Sequence, residues 1–165
     1  VTAYPNPRAF TVAGPVQAEI MVLALLGDSV VLSGPCGAAP WYVEVGQGAD
    51  PMAVVTAMTR LNVGEPAVVH STSWRQARGG VVLTFLAVVD SSAVGSLDRV
   101  RPGRSGLTRG AATEAPGQVP AAAVIEHGLR HLAWLAQDDS DVAAALPDGW
   151  TAALQDYVPE PFRHL

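Results

Sequence analysis

The chain has no lysine: all 10 of its Lys and Arg residues are arginine. That removes Schiff-base chemistry and any mechanism built on a lysine that holds phosphate. Cys36 is the single cysteine, so an intrachain disulfide and cysteine-rich zinc sites are excluded for this sequence. Set in Gly34-Pro35-Cys36-Gly37, it reads as a small turn residue more readily than as a reactive thiol. Charge is scarce, at 15% of residues against an ordinary fraction of about 25%. What charge there is sums to −5, with a pI near 5.2, which argues against a nucleic-acid partner needing a basic face. The longest apolar run, Ile20–Leu26, is far too short to cross a bilayer. No basic segment precedes an apolar one near residue 1, so neither a signal peptide nor a membrane partner is expected, and the cytoplasm is the expected location.

What is present is apolar. Hydrophobic residues make up 49% of 165, enough for one domain with a substantial core. A surface this poor in charge suits coverage by a second copy, so a homodimer is expected. Abundant Ala, Gly, Val and Pro, with Arg in place of Lys, read as the coding bias of a GC-rich bacterial genome.

Residues 1–17 read as an irregular leader. Ile20–Leu26 predicts a strand buried on both faces, turned by Gly27-Asp28 into Val30–Leu32. A Gly/Pro/Ala loop leads to the strand Trp41–Val45. Asp50-Pro51 is a strong helix start, an N-cap acceptor followed by proline at the first helical position. The helix Met52–Leu61 puts Val54, Ala57, Met58 and Leu61 on one face, with Met52 and Val55 covering much of the rest. An all-round apolar helix is expected to lie between layers. Strands at Ala67–Arg75 and Val81–Val89 flank Gly79-Gly80. Residues 90–119, rich in Gly, Ser, Pro and Arg, read as one long loop. Helices are expected at Pro120–Ala136, Asp139–Leu146 and Trp150–Tyr157. The expected fold class is α+β, a mixed sheet sandwiched by helices. Residues 18–90 form its core, and the helices of 120–158 pack on it.

Trp41-Tyr42-Val43-Glu44-Val45-Gly46-Gln47-Gly48, the helix through Leu61 and its ending Asn62-Val63-Gly64 share a layout with a known fold. So does the stretch His70-Ser71-Thr72-Ser73-Trp74-Arg75 before an apolar strand. Over residues 18–90 the chain resembles the Nudix fold, in which a glycine-containing loop feeds a central helix. The likeness lies in layout and not in signature. The Nudix helix carries Arg-Glu-apolar-x-Glu-Glu before its last glycine, and those glutamates bind the divalent metals of a pyrophosphatase. Counted back from Gly64, the Arg-Glu pair falls on Ala57 and Met58, and the Glu-Glu pair on Leu61 and Asn62. Gly46 is also out of register with the first glycine of the motif. The resemblance therefore implies a Nudix-like scaffold without the family's standard hydrolase chemistry, and neither metal nor cofactor is expected.

Trp74 and Arg75, with His70, could serve a nucleotide-like ligand through stacking and ion pairing. The plainer reading is a polar strand end with Trp74 completing the core. Alternation would put His70, Thr72 and Trp74 on one face and Ser71, Ser73 and Arg75 on the other. His127 and His131, beside Glu126, stand one helical turn apart, a spacing that can bind zinc if a third ligand arrives. A polar helix face is the plainer reading. Arg99, Arg101, Arg104 and Arg109 punctuate the long loop but match no phosphate loop. Asp138, Asp139 and Asp141 are explained by helix capping. The chain lacks Gly-x-Ser-x-Gly, a dinucleotide fingerprint and His-Glu-x-x-His.

The leading expectation is a non-catalytic Nudix-like domain that binds a partner or a small, nucleotide-like ligand. Its cleft would lie near Trp41, Glu44, His70, Trp74 and Arg75. The alternatives are a hydrolase of phosphate-containing small molecules using Glu19, Glu44 and Glu126, and an assembly protein using its apolar helices.

Overall fold

The computed structural model describes residues 14–37, 39–77, 79–95, 97–106 and 119–157. Its organising element is strand β1, Val16–Leu26, in which residues 18–24 are all buried. The strand begins ahead of the expected Ile20, taking in part of the expected leader. One edge of β1 pairs in parallel with β5, Gly80–Val89, from Val16 opposite Val81 to Leu23 opposite Val88. The other edge is shared. β3, Trp41–Val45, runs antiparallel to its first half, and β2, Ser29–Ser33, to its second. Gly27-Asp28 makes the tight turn between β1 and β2, with Gly27 at φ 59°, the positive φ that such turns demand. β4, Pro66–Ala77, adds antiparallel to β5, and the two-residue β6, Arg99–Val100, adds to β2. The result is a mixed six-stranded sheet in the order β4-β5-β1-β2-β6, with β3 beside β1. The chain is α+β.

Strand alternation splits the core in two. Even-numbered Ala18, Ile20, Val22 and Ala24 of β1 cluster with Phe85, Ala87 and Val89 of β5 and with Val55 of helix α1, Pro51–Asn62. Odd-numbered Met21 and Leu23 cluster with Leu86 and Val88 and with Val124, Ile125, Leu129 and Leu132 of helix α2, Ala121–Asp138. Trp150 and Leu154 join this second cluster. Past the short helix α3, Ser140–Ala145, Trp150 opens the short helix α4, Trp150–Ala153, and Leu154 caps its end. The expected helix Trp150–Tyr157 is thus a single helical turn. Its chain then bends so that the Tyr157 amide bonds the Leu154 carbonyl at 3.0 Å.

α1 begins as its sequence requires, with the Asp50 carboxylate accepting from the Met52 amide at 3.0 Å. Its packing differs from expectation. Met52, Ala53, Ala57, Arg60 and Leu61 are exposed, and the covered stripe is Val55, Met58, Thr59 and Asn62. That i, i+3, i+4, i+7 set includes two polar residues because each satisfies itself on the turn before. Thr59 donates to the Val55 carbonyl at 2.9 Å, and Asn62 to the Met58 carbonyl at 2.8 Å. Once bonded, their burial costs little. α1 is a surface helix with one face on the sheet and is not enclosed between layers.

The segment 90–119 is also less irregular than its composition implies. A 3-10 turn, Ser91–Val94, is capped by Asp90 and buries Val94, and β6 follows it. Residues 107–118, including Arg109, lie outside the described residues.

Gly128 sets how closely α2 approaches the sheet. A Cβ added there would stand 3.0 Å from the Leu86 Cδ2, whose side chain is fixed in the core. Gly128→Val is expected to lower stability by about 2 kcal/mol through overpacking. Gly128→Ala is expected to be milder, because a gain of about 1 kcal/mol in helix propensity offsets part of the strain. Urea unfolding of the two variants checks this order.

Candidate functional site

The polar groups of interest gather on the side of the sheet that faces α2. Glu19 occupies the middle of β1 between apolar neighbours, with its carboxylate buried. Four donors from three other strands meet it. Its Oε1 accepts from the Tyr42 hydroxyl and Arg75 Nη2, each at 2.7 Å. Its Oε2 accepts from Arg75 Nη1 at 2.8 Å and the Thr84 hydroxyl at 3.0 Å. Burial alone would raise the Glu19 pKa. The hydrogen bonds from Arg75, Tyr42 and Thr84, with the Arg75 charge, more than offset it and hold the pKa below the ordinary glutamate value. This carboxylate is saturated, with no lone pair left to serve as a base.

Glu126 on α2 is the second buried carboxylate. Arg130, one turn on, donates to its Oε1 at 2.6 Å. Arg104 reaches it from the segment after β6, Nε to Oε2 at 3.1 Å and Nη2 to Oε1 at 3.2 Å. The Arg104 guanidinium also lies over the Tyr157 ring, 4.3 Å from its centroid, and donates to the Asp156 carbonyl. Arg104 thereby ties three chain segments together. Here too burial raises the carboxyl pKa, and the two arginines with the Ser105 amide bring it below the ordinary value.

Between β4 and α2 stand three histidines. The rings of His70 and His131 meet edge to face at 4.7 Å, His127 is 6.1 Å from His131, and His131 stacks on Trp134 at 5.3 Å. A β-bulge lies beside this meeting. The β4–β5 register slips between Ser71 and Ser73, leaving Thr72 unpaired, and its carbonyl accepts from His127 Nε2 at 3.2 Å. His70 Nε2 and His131 Nδ1 are buried without a hydrogen-bond partner. Burial lowers the pKa of both; for His131 the neighbouring His70 and His127 add to the effect, and for His70 the charge of Asp139 opposes it.

The five candidate ligand residues do not meet at one place. Trp41 packs half-buried in the cluster shared with α1, its indole Nε1 buried and unpartnered. Glu44 is exposed on β3, opposite Gln17. Trp74 is 68% exposed on β4, so it does not complete the core. The bulge overturns the expected alternation as well. His70 pairs with Leu86 and Arg75 with Val82, positions on the same face of β5, so the two residues lie on the α2 side together. The crevice between α1 and the sheet, lined by Ile20, Val22, Trp41, Met58, Thr59, Asn62 and Val63, is apolar and too narrow for a water molecule.

Of the alternative hydrolase acids, Glu19 and Glu126 are each consumed by arginines, and Glu44 is exposed on β3, two residues along from the Tyr42 that bonds Glu19. Among the described residues, no three His, Cys, Asp or Glu side chains are placed to hold a metal ion. No described helix is long and apolar enough to cross a membrane. Asp139 does cap α3, accepting from the Asp141 and Val142 amides. Arg99 sits exposed in β6, and Arg101 is exposed beyond it. Tyr42, Thr84 and Tyr157 were not singled out from the sequence. The one usable signal was a glutamate beside an apolar strand run, which demands a cationic partner once the strand is central.

No protein-family model matches the chain, and no curated protein matches it.

Proposed function

We propose that this chain is a non-catalytic, Nudix-like domain that acts by binding a partner or a small ligand, as a homodimer. The observation that carries the reading is the chemistry of α1. Its two exposed positions in the motif frame are Ala57 and Leu61, its covered ones are Met58 and Asn62, and none carries the carboxylate with which the Nudix helix holds its divalent metals. The placement of α1 in one core cluster and of α2 and Trp150 in the other supports a Nudix-like sandwich of helices about the sheet. The occupied states of Glu19 and Glu126 argue the same way, because an acid held by arginines activates no water. Binding is supported by side chains that reach solvent without serving the core. Leu61 is 83% exposed and Trp74 68%, and both suit contact with a second copy or a planar ligand.

The test is a panel of nucleoside diphosphates and their conjugates, assayed with Mg²⁺ and with Mn²⁺. The expected result is no turnover with either metal, a thermal shift with at least one panel member, and a dimer by light scattering. Metal-dependent hydrolysis would overturn the non-catalytic reading. A monomer that shifts with no ligand would overturn the binding reading.

A further inference from the structure

We propose that His70 and His131, seated beside the bond from His127 to the Thr72 carbonyl, form an acid-sensitive latch between β4 and α2, which the two neutral rings hold closed and protonation opens. The latch is built at the bulge, where Thr72 gives its carbonyl to His127 and where the ring of His70 abuts His131 at 4.7 Å. Two ring nitrogens, His70 Nε2 and His131 Nδ1, are buried with no partner. A neutral imidazole leaves such a nitrogen as an unbonded acceptor, a modest loss. Protonation turns it into a charged donor with no acceptor, which is far costlier in a buried setting. A second proton nearby adds repulsion between rings already in contact.

The charged groups around the cluster do not relieve this. Asp139, at the start of α3, is the one carboxylate whose charge favours His70 protonation, and its side chain is engaged in capping α3. Glu126 and Arg130, which flank His127 and His131 along α2, are bonded to each other. On β4 the charged group on the side of His70 is Arg75, which is held by Glu19. With the folded pKa values of His70 and His131 below the ordinary histidine value, the closed state binds fewer protons than the open one. Closure is therefore fully favoured above about pH 6.5 and is lost as pH falls through that value toward the folded pKa.

Histidine NMR titration and hydrogen exchange between pH 8 and pH 5 test the latch. The His70 and His131 rings are expected to titrate below about 6.5. Once the intrinsic pH dependence of exchange is removed, α2 amides should lose protection by up to about tenfold per pH unit for each such histidine. The β1 amides should change much less. His131→Leu, and separately His70→Leu, should each reduce the acid dependence. Rings titrating at or above the ordinary value would overturn the proposal. So would equal loss of protection in α2 and β1, or an acid dependence that survives both substitutions. Should a variant fail to fold, the wild-type titration decides alone.

Discussion

Glu126→Ala is expected to destabilise the protein by about 3–5 kcal/mol, as removal of one member of a buried ion pair does. The carboxylate is 1% exposed and takes bonds from both Arg130 and Arg104. Its loss leaves the buried Arg130 guanidinium facing Arg104 with no counter-charge between them. Glu126→Gln keeps the shape and one acceptor, so its cost is expected near 2 kcal/mol, in the range of a lost charged hydrogen bond. Arg104→Ala should cost only about 1 kcal/mol, because Arg104 is half-exposed and Arg130 still pairs the acid. Denaturant unfolding at pH 7 gives all three values. An Arg104 variant that suffers more than Glu126→Ala would show that Glu126 is not the hub of this cluster. The same carboxyl has a depressed folded pKa, so its contribution is present above the ordinary glutamate value of about 4.3 and is lost as pH falls below it. That limb lies well below the histidine one, and the two can be resolved in a single pH series.

The strands were legible because burial on two faces leaves little choice of residue. Ile20–Leu26 and Val81–Val89 could hardly be anything else, and Asp50-Pro51 marks a helix start by its own chemistry. Three features were hidden for physical reasons. The packed stripe of α1 was misplaced because Thr59 and Asn62 bond the preceding turn and so bury like apolar residues. The bulge at Thr72 leaves no mark in composition, yet a slip of one residue moves every later side chain to the opposite face. That slip brings Arg75 to the side of His70. The third hidden feature is long-range. Glu19 meets Tyr42, Arg75 and Thr84 only because β3, β5 and then β4 assemble around β1, and those partners lie 23, 56 and 65 residues away. The histidine cluster shares that origin. The spacing of His127 and His131 was visible, while the arrival of His70 depended on the sheet. Local chemistry can therefore be read from the chain, but a site made by strand order cannot be read before that order is known.

The Glu19–Arg75 pair gives the second large expected effect, and the two partners should fail in opposite ways. Glu19→Ala removes the acceptor for Tyr42, Arg75 and Thr84 together, and about 3–5 kcal/mol should be lost at pH 7. Arg75 is partly exposed and can turn to water, which sets the lower end of that range. Arg75→Ala leaves the carboxylate in place, buried, with only the Tyr42 and Thr84 hydroxyls. Burial then outweighs what remains, and the Glu19 pKa is expected to rise above its ordinary value instead of lying below it. The pH dependence must change sign with it. In the native protein, stability from Glu19 is present above about pH 4.3 and declines as pH falls. In the Arg75 variant the folded state takes up the proton more readily than the unfolded chain, so the penalty of the substitution should shrink as pH falls from 7 toward 4. Adding Glu19→Gln to Arg75→Ala should recover stability at pH 7 and abolish that dependence, because no buried charge then remains. Denaturant unfolding of the single and double variants at pH 7 and pH 4.5 measures the coupling. A penalty for Arg75→Ala that is constant across this range would mean that Glu19 is solvated enough to stand alone, and the network would then be ornament to the sheet and not part of what holds β4 in register.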